Sequence, residues 1–456
     1  MEERGKPLPI ETLPRKELEK IQNRRLRCNL RKAYETTFFW HKKFDSLGIK
    51  PEDIKNKEDL ERNYKNGLKL SREELVNRYE DLLPTYVKNK EISTIEVRTS
   101  GFTGVPKRVM YSLPPSLSTD TVILAYNAGG LFEGDRILLA LAPYPYSSGI
   151  FVTYGLENYI YKIEFEPKWS IEMRKPLFTD EIINKIKTFN PSYLTSSPTT
   201  ATEVAEEMIK RGIEPANLNV RRILVGGEAS EKERKEKIGK KWDAEVFDAW
   251  ATTEAAMLGY ECKIHEGMHI AESRILFSVV NSETREVLGE KEEGTPLLTL
   301  LYDEKEKPGM YIINYDGLGD IIKILDKEER CECGRRFTRV EYPKRSDETL
   351  NVRGVKFYAR APERVTGIND YITVEVYNKR RGMTRLEVRY VPEKGYKIDE
   401  IEKEIFNALL SSNPDAEKLL KDGDICFTRA TPATLYIGLP PQSPGKRKRL
   451  YRVTEE

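Results

Sequence analysis

"RRILVGGEASEKERKEKIGKKWDAEVFDAWA", Arg221 to Ala251, decides the fold class. Its two ends, "RRILVGG" (221–227) and "AEVFDAWA" (244–251), are short apolar runs suited to buried strands. Between them "SEKERKEKIGKKW" is periodic and polar on one face, and it opens with a capping box from Ser230 to Glu233. The same alternation runs from about 95 to 250. "RILLALAP" (136–143) and "SYLTSS" (192–197) read as further strands, "TDEIINKIKTFN" and "TTATEVAEEMIKRG" as further helices. Strands alternating with helices imply a mainly parallel sheet covered by helices. Ligands gather where loops leave the carboxyl ends of such strands. "VGGEAS" (225–230) and "DAWATTEAAM" (248–257) are loops of that kind and are the first candidates for a site.

Outside this stretch the pattern changes. Residues 1–90 read as a helical preface: "PRKELEKIQNRRLRCNLRKAYETTFFWHKKFDSLG" has helix-like apolar spacing with Gly48 as its stop, and "SREELVNRYEDLLP" opens with a capping box, Ser71 to Glu74, and closes at Pro84. After about 270 the chain is strand-rich, with "RILFSVV", "TPLLTLLY", "GMYIINY" and "DIIKIL". From about 348 a smaller α+β unit follows: strands "YITVEVYN" and "TRLEVRYV", a helix "DEIEKEIFNALL" and a final strand "ATLYIGLP". The polar segment "KRSDETLNVRG" marks the boundary, giving a domain over 1–346 and a small one over 347–456.

A chain of 456 residues is too long for one hydrophobic core. Lys+Arg 76 against Asp+Glu 74 leaves +2, so no global field recruits nucleic acid or a membrane surface. The basic "KRKR" near the end lacks the interleaved aromatics of a nucleic-acid site. No apolar run approaches the roughly 18 residues a membrane helix needs, and the charged start is unlike a signal peptide. Five cysteines make no disulfide framework, so a reducing cytoplasm is expected. Five of the sulfur and imidazole residues cluster by spacing: "ECKIHEGMH" carries Cys262, His265 and His269, and "CECGRR" carries Cys331 and Cys333. Three thiolates and one imidazole match a closed tetrahedral zinc site, with either histidine as the fourth ligand. Two free thiols, or a redox pair, are the other readings.

"TSGFTGVPK", Thr99 to Lys107, gathers Thr99, Ser100, Gly101, Thr103, Gly104 and Lys107. Glycines let backbone N–H groups converge on a phosphate oxygen, while hydroxyls and a lysine add donors and charge. The spacing is not that of a P-loop NTPase, and the stretch alone reads equally as a phosphate cradle or a polar turn. The loop resembles the [TS]-S-G-[TS]-T-G-x-P-K element of the acyl-adenylate-forming superfamily: acyl-CoA synthetases, luciferases and nonribosomal adenylation domains. Further likenesses follow in order. "VGGEAS" looks like the loop beside the adenine, "WATTE" (250–254) like Y-G-x-T-E, and "NYDGLGD" (314–320) like the segment ending in the ribose-binding aspartate. "KRSDETLNVRGVKFY" (344–358) is similar to R-x-D-D-x-(L/I)-x-x-R-G-V, and the end of the chain to G-K-x-x-R. "RSDETLNVRGV" with C-x-C-G-R looks most like the phenylacetate-CoA ligase branch, which also includes synthetases that adenylylate a deazaflavin coenzyme.

The resemblance implies an α/β fold: a large N-terminal adenylate-forming domain of layered, parallel-rich sheets with helices and a β-rich subdomain, then a small mobile α+β domain. It implies ATP, Mg2+ and coenzyme A as cofactors, a small carboxylic acid as substrate, and a homodimer. Onto this chain it carries Glu254 as holder of magnesium, Thr253 on a phosphate oxygen, Asp320 on the ribose hydroxyls and Arg345 on ribose or phosphate. Gly226, Gly227, Glu228, Asp248, Ala249, Trp250, Ala251 and Thr252 would surround the nucleotide. Lys446 would bridge the carboxylate and the α-phosphate, with Lys448 as the slipped alternative. Asp347 would be the hinge that exchanges Lys446 for the loop around Gly354 between half-reactions. Some relatives of the branch carry such a structural zinc, and their G-x-H pattern favours His269 over His265. Departures from the family are Trp250 and Ala251 for tyrosine and glycine, and Phe102, which removes one hydroxyl donor from the loop. Ala251 is tolerable if its backbone does not need a positive φ. Tyr144, Tyr146, Phe151 and Tyr154, in "APYPYSSGIFVTYGLENY" (142–159), suit a flat aromatic acid, or simply a core. The expected activity is acyl-adenylate formation from an aryl or arylacetic acid, then thioester formation with CoA. The alternatives are AMP transfer to a coenzyme or an amine without CoA, and a catalytically lapsed nucleotide sensor.

Overall fold

The computed structural model describes residues 4–99, 106–141, 147–159, 164–167, 177–228, 230, 232–326, 330–346, 349–352, 355–378, 383–412, 419, 424–439 and 449–455. The chain divides into two compact units, Met1–Ser230 with Ile238–Pro343, and Glu231–Lys237 with Lys344–Glu456. The fold is mixed α/β.

In the first unit a hairpin of β1 (Thr94–Arg98) and β2 (Arg108–Ser112) precedes the main sheet. The sheet's parallel half comprises β3 (Arg136–Ala140), β4 (Glu164–Pro167), β5 (Tyr193–Ser196), β6 (Arg222–Gly226) and β7 (Glu245–Thr252). They run in the spatial order β4-β3-β5-β6-β7, each pair parallel. Beyond β7 the direction alternates. β8 (Ala256–Tyr260), β9 (Met268–Ile270), β10 (Ile275–Val280), β11 (Glu293–Leu300), β12 (Asp320–Asp326) and β13 (Arg339–Val340) extend the sheet as β7-β8-β9-β13-β12-β11-β10, antiparallel throughout. The strand pattern of the sequence explains the split: residues 221–227 and 244–251 flank a crossover helix, Lys232–Trp242, whereas turns join the later runs.

The helices that cover the parallel strands place their apolar stripes inward. Ala201, Val204, Ala205 and Met208 of Pro198–Lys210 join Ile182, Ile183 and Ile186 of Leu177–Phe189 over Leu138, Leu194, Ile223 and Val225. Burying each of the Val, Leu, Ile and Met side chains among these contributes about 1.5–3 kcal/mol. The helical preface breaks where the sequence reads as one run. Thr37 leaves the helical conformation, its hydroxyl donates to Ala33 O at 2.7 Å, and it accepts from Trp40 N at 3.3 Å, so Arg15–Thr36 ends and Phe38–Leu47 begins. Gly48, at φ 65°, stops the second helix.

Two expected strands are absent among the described residues. "GMYIINY" makes only isolated bridges at Tyr315. Its backbone turns left-handed at Asn314 (φ 45°), whose side chain donates to Leu68 O at 2.8 Å and to Leu60 O at 3.2 Å, tying the segment to the preface. "ATLYIGLP" forms turns over 433–438, where Thr431 and Thr434 cap one another and Leu435 is buried. The closing strand of the second unit is instead β20 (Leu450–Glu455). The others there are β14 (Lys344–Arg345), β15 (Thr349–Val352), β16 (Val355–Tyr358), β17 (Ile368–Asn378), β18 (Met383–Pro392) and β19 (Ile425–Arg429). Four of them make a sheet ordered β19-β18-β17-β20. Helix Ile398–Ser412 lays Ile401, Ile405 and Leu409 on it. No helix among the described residues is long and apolar enough to cross a membrane.

Candidate active site and metal centre

At the carboxyl end of β6, Gly226 pairs with Ala249 of β7 so closely that a Cβ on it would stand 2.9 Å from Ala249 O. Gly227 follows at φ 80°, and Glu228 accepts from Thr199 Oγ1 at 2.7 Å. Thr199 sits in the first turn of Pro198–Lys210, which Ser197 caps by accepting from Thr200 N at 3.0 Å. The glycines thus let the chain turn out of the sheet without a side-chain clash.

Strand β7 carries Asp248 to Thr252. Asp248 N donates to Glu261 Oε2 at 2.8 Å, and a register shift at Trp250–Ala251 loosens the pairing with β8. Ala251 lies in the strand, and its φ is not positive, so the alanine meets the condition for replacing glycine. Thr252 Oγ1 accepts from Ala255 N at 3.0 Å and closes a tight turn over Thr253–Glu254. Tyr111 of the hairpin donates to Thr253 O at 2.9 Å. The turn drives Glu254 inward, where it is 1% exposed.

An isolated carboxylate in such a place is costly, and two groups compensate it. Lys107, 5% exposed, forms an ion pair with Glu254 Oε1. Tyr315, fully buried, donates its hydroxyl to the same oxygen at 2.8 Å. Burial, reinforced by the Glu254 charge, pushes the Tyr315 phenol well above its ordinary range and keeps it protonated. Lys107 is delivered by the base of the phosphate-loop candidate. Thr99 N donates to Lys107 O at 3.0 Å and Lys107 N to Thr99 Oγ1 at 2.9 Å, so the two ends of "TSGFTGVPK" are clamped as an extension of the β1–β2 hairpin. Ser100, Gly101, Phe102, Thr103 and Gly104 lie outside the described residues.

Asp320 opens β12 after Gly319, at φ 77°, and is 5% exposed. Its Oδ2 accepts from Trp250 Nε1 at 3.2 Å. The Trp250 ring is itself buried and edge-on to Phe277 at 6.1 Å, so in this structure the indole contributes a hydrogen bond to Asp320. Phe151 is buried against Tyr111 with ring centroids 4.4 Å apart, next to the strand turn. Tyr144 and Tyr146 lie outside the described residues, and Tyr154 is half-buried. Arg345 lies in β14 of the second unit; Asp347, Gly354, Lys446 and Lys448 lie outside the described residues. Sequence reasoning overlooked Tyr315, although "NYDGLGD" contains it. The signal available was a tyrosine in a motif otherwise made of turn residues.

The cysteines converge elsewhere in the same unit. The sulfurs of Cys262, Cys331 and Cys333 and a ring nitrogen of His269 all lie within 4.8 Å of one another, and all four residues are buried. Cys262 follows β8, while His269 stands opposite Tyr260 across the β8–β9 pair. Gly334, at φ 96°, tightens the Cys331–Arg335 turn, with Gly334 N donating to Cys331 O at 2.7 Å. Cys262 and Cys331 sulfurs are 3.9 Å apart, and Cys333 Sγ is 3.4 Å from His269 Nε2. A tetrahedral zinc with bonds of about 2.3 Å to sulfur and 2.0 Å to nitrogen spaces its ligands by roughly 3.5–3.8 Å. The donor set and spacing therefore fit that ion. His269 Nδ1 faces Phe337 O at 3.1 Å, which places the proton there and turns Nε2 toward the sulfurs. Burial lowers the proton affinity of His269, but Cys331 and Cys333 outweigh it and raise it to about 9. Cys262 and then Cys331 hold the Cys333 thiol far below its ordinary value. His265 is not among these ligands: it lies 3.2 Å from Glu261 and 3.4 Å from Glu245, partly exposed.

No family model matches the chain. A phenylacetate-coenzyme A ligase of Thermus thermophilus is 25% identical over 361 residues, 78% of this chain and 76% of that protein. A second, from Aromatoleum evansii, is 25% identical over 365 residues, covering 77% and 75%. Among solved structures, 2-hydroxyisobutyryl-CoA ligase, in the postadenylation state in complex with an acyl-AMP, superposes with a TM-score of 0.76 at 18% identity, over 97% of this chain and 91% of that one. The chain is thus similar over about three quarters of its length to phenylacetate-coenzyme A ligases, and it shares the fold of a solved acyl-CoA ligase.

Proposed function

We propose that the chain is an AMP-forming acid–CoA ligase whose acid is an aryl or arylacetic carboxylate. In the first half-reaction a carboxylate oxygen bonds the α-phosphorus of ATP and pyrophosphate leaves. In the second, the CoA thiol bonds the acyl carbon, AMP leaves with the C–O electron pair, and the thiol proton passes to solvent. The observation that carries this reading is the meeting of Lys107, Glu254 and Tyr315, together with the bond that joins Trp250 of β7 to Asp320 of β12.

The first step brings two anions together, so positive charge is its main requirement. Lys107 supplies a fixed cation at the root of the phosphate loop. Glu254 is the acid suited to the magnesium that enters with ATP as part of the substrate, and Thr253 its neighbour on a phosphate oxygen. Asp320, oriented by the Trp250 indole, accepts from the ribose hydroxyls. Gly226, Gly227 and Glu228, with Asp248 to Thr252, frame the nucleotide. Arg345 and Lys446 are assigned to the second unit's share of the chemistry, Lys446 on the α-phosphate, and Asp347 to the hinge. The phenylacetate-CoA ligase relatives favour a flat aromatic acid, as do Tyr111 and Phe151 beside the turn. Cys262, His269, Cys331 and Cys333 hold a structural zinc, which ties the β8–β9 connection to the Cys331–Arg335 turn and touches no substrate.

The test is to supply ATP, CoA and a panel of carboxylic acids and to measure AMP and thioester together. Equal amounts of both, with phenylacetate or a benzoate among the best acids, are expected. AMP without thioester would move the protein to the CoA-independent class. Lys446→Ala should lose adenylation by a factor of about 100 or more while ATP still binds. Full adenylation by that variant overturns the lysine's assignment.

A further inference from the structure

Tyr315 is the feature that the nucleotide-site motifs leave unexplained. Its hydroxyl carries one proton and stands between two acceptors, Glu254 Oε1 at 2.8 Å and Gly317 O at 3.0 Å. Lys107 Nζ lies 3.4 Å from the same oxygen and donates to it. Gly317 belongs to the loop that runs on through Gly319 to Asp320. That loop cannot easily shift: a Cβ at Gly317 would meet the backbone N of Arg72 at 2.7 Å. One phenol therefore touches the acid suited to the metal, the lysine suited to the phosphates and the loop that presents the ribose acid.

The arrangement also poses a charge problem. Glu254 is already paired with Lys107, and both are buried. Binding MgATP requires the lysine to turn to phosphate and the carboxylate to turn to the cation. Breaking a buried pair leaves each charge uncompensated unless another partner holds it through the exchange. Resting on the ligase reading above, we propose that Tyr315 is a positioning residue: its hydroxyl holds Glu254 in place as Lys107 is exchanged for the magnesium of MgATP, and it ties that exchange to the Gly317–Asp320 loop. A neutral donor suits this role, because it keeps its hydrogen bond to the carboxylate whichever cation is present.

The experiment compares wild type, Tyr315→Phe, Glu254→Gln and the double variant in the full chain. Mn2+ binding is followed by electron paramagnetic resonance with a non-hydrolysable ATP analogue, and AMP binding by calorimetry in the presence of a chelator. Tyr315→Phe should weaken Mn2+ binding about tenfold and leave metal-free AMP binding within twofold. In the Glu254→Gln background the second substitution should change Mn2+ binding by less than twofold, because the hydroxyl acts through the carboxylate. Mn2+ binding unaltered in Tyr315→Phe contradicts the proposal. So does a parallel loss of AMP and Mn2+ binding, which marks a packing role, and so do independent losses in the double variant. If Tyr315→Phe fails to fold, Tyr315→His supplies the comparison: its ring donor should restore Mn2+ binding to within threefold of wild type, and failure to do so at intact AMP affinity counts against the idea. A wild-type protein that binds neither the ATP analogue nor AMP would instead overturn the ligase reading itself.

Discussion

Trp250 shows how a single departure from a family pattern acquires a reason in the structure. Tryptophan in place of tyrosine keeps a large ring and adds an N–H, and that N–H reaches Asp320 Oδ2 at 3.2 Å. If the bond orients Asp320 as proposed, Trp250→Phe keeps the packing and loses only the donor. We expect a loss of about 1 kcal/mol, roughly a fivefold rise in the KM for ATP, with kcat within a factor of two. Steady-state rates at saturating acid decide it; an unchanged KM means the indole N–H does nothing for the nucleotide. Ala251 is simpler, since a strand residue without positive φ does not call for glycine. Both departures were visible in the sequence, but their surroundings were not: these depend on the register of β7 against β8 and on the approach of Asp320, 70 residues away along the chain. Lys107 and Glu254 illustrate the same limit. Each was legible as a site candidate from its motif, yet their pairing, and the phenol of Tyr315 between them, arises only when the β1–β2 hairpin packs on the β7 turn.

At the scale of elements, the β8–β9 connection and the 3-10 turn Ala361–Arg364 of the second unit make opposite uses of buried charge. The four residues Cys262, His269, Cys331 and Cys333 have the spacing of a zinc site, and metal binding of this kind is folding free energy. Purified protein should contain close to one zinc per chain. A Cys331→Ser, Cys333→Ser variant should contain almost none and unfold at a temperature several degrees lower. Protons compete for thiolate and imidazole, so zinc should be released as pH falls, not as it rises. Elemental analysis and thermal unfolding check both statements, and a metal-free wild type of full stability refutes them. In the second unit, burial pushes the Glu363 carboxyl up, but Arg360, then Arg234 and Arg449, outweigh it and hold it below the ordinary range. A depressed folded value means that the stabilisation is present above the unfolded value of about 4.3 and is lost as pH falls through the folded one. Glu363→Gln should cost about 3–5 kcal/mol at pH 7, because Arg360 and Arg449 remain buried. The gap from wild type should narrow below about pH 4 in urea unfolding; a gap independent of pH excludes the ionised carboxylate as its source. The spacing of the cysteines made the first cluster readable in advance. Glu363 gave no such signal, because its partners come from three separate segments. "GMYIINY" and "ATLYIGLP" were misread as strands for a related reason: apolar alternation is shared by strands and by chain that packs through turns, and Asn314 and the Thr431–Thr434 caps decide between them.

Across the whole molecule the alternating pattern of residues 95–250 was enough to specify a parallel sheet, and with it the strand ends where candidate sites lie, since helix and strand periods differ sharply there. What it could not supply was the antiparallel continuation that carries Asp320 back beside β7, because β12 reaches that place through β13, β9 and β8 rather than through sequence proximity. Two bonded groups result in the first unit, Lys107 with Glu254 and Tyr315, and Trp250 with Asp320, and the proposed ligase mechanism is built on them. Its most direct test is exchange of labelled pyrophosphate into ATP, which reports the reversible adenylation step before any acceptor is involved. We predict exchange that depends on an added aromatic carboxylic acid and on magnesium, proceeds without CoA, and gives AMP and acyl-CoA in equal amounts once CoA is supplied. Pyrophosphate exchange that stays at background with every carboxylic acid, in a protein that binds ATP, would contradict the account.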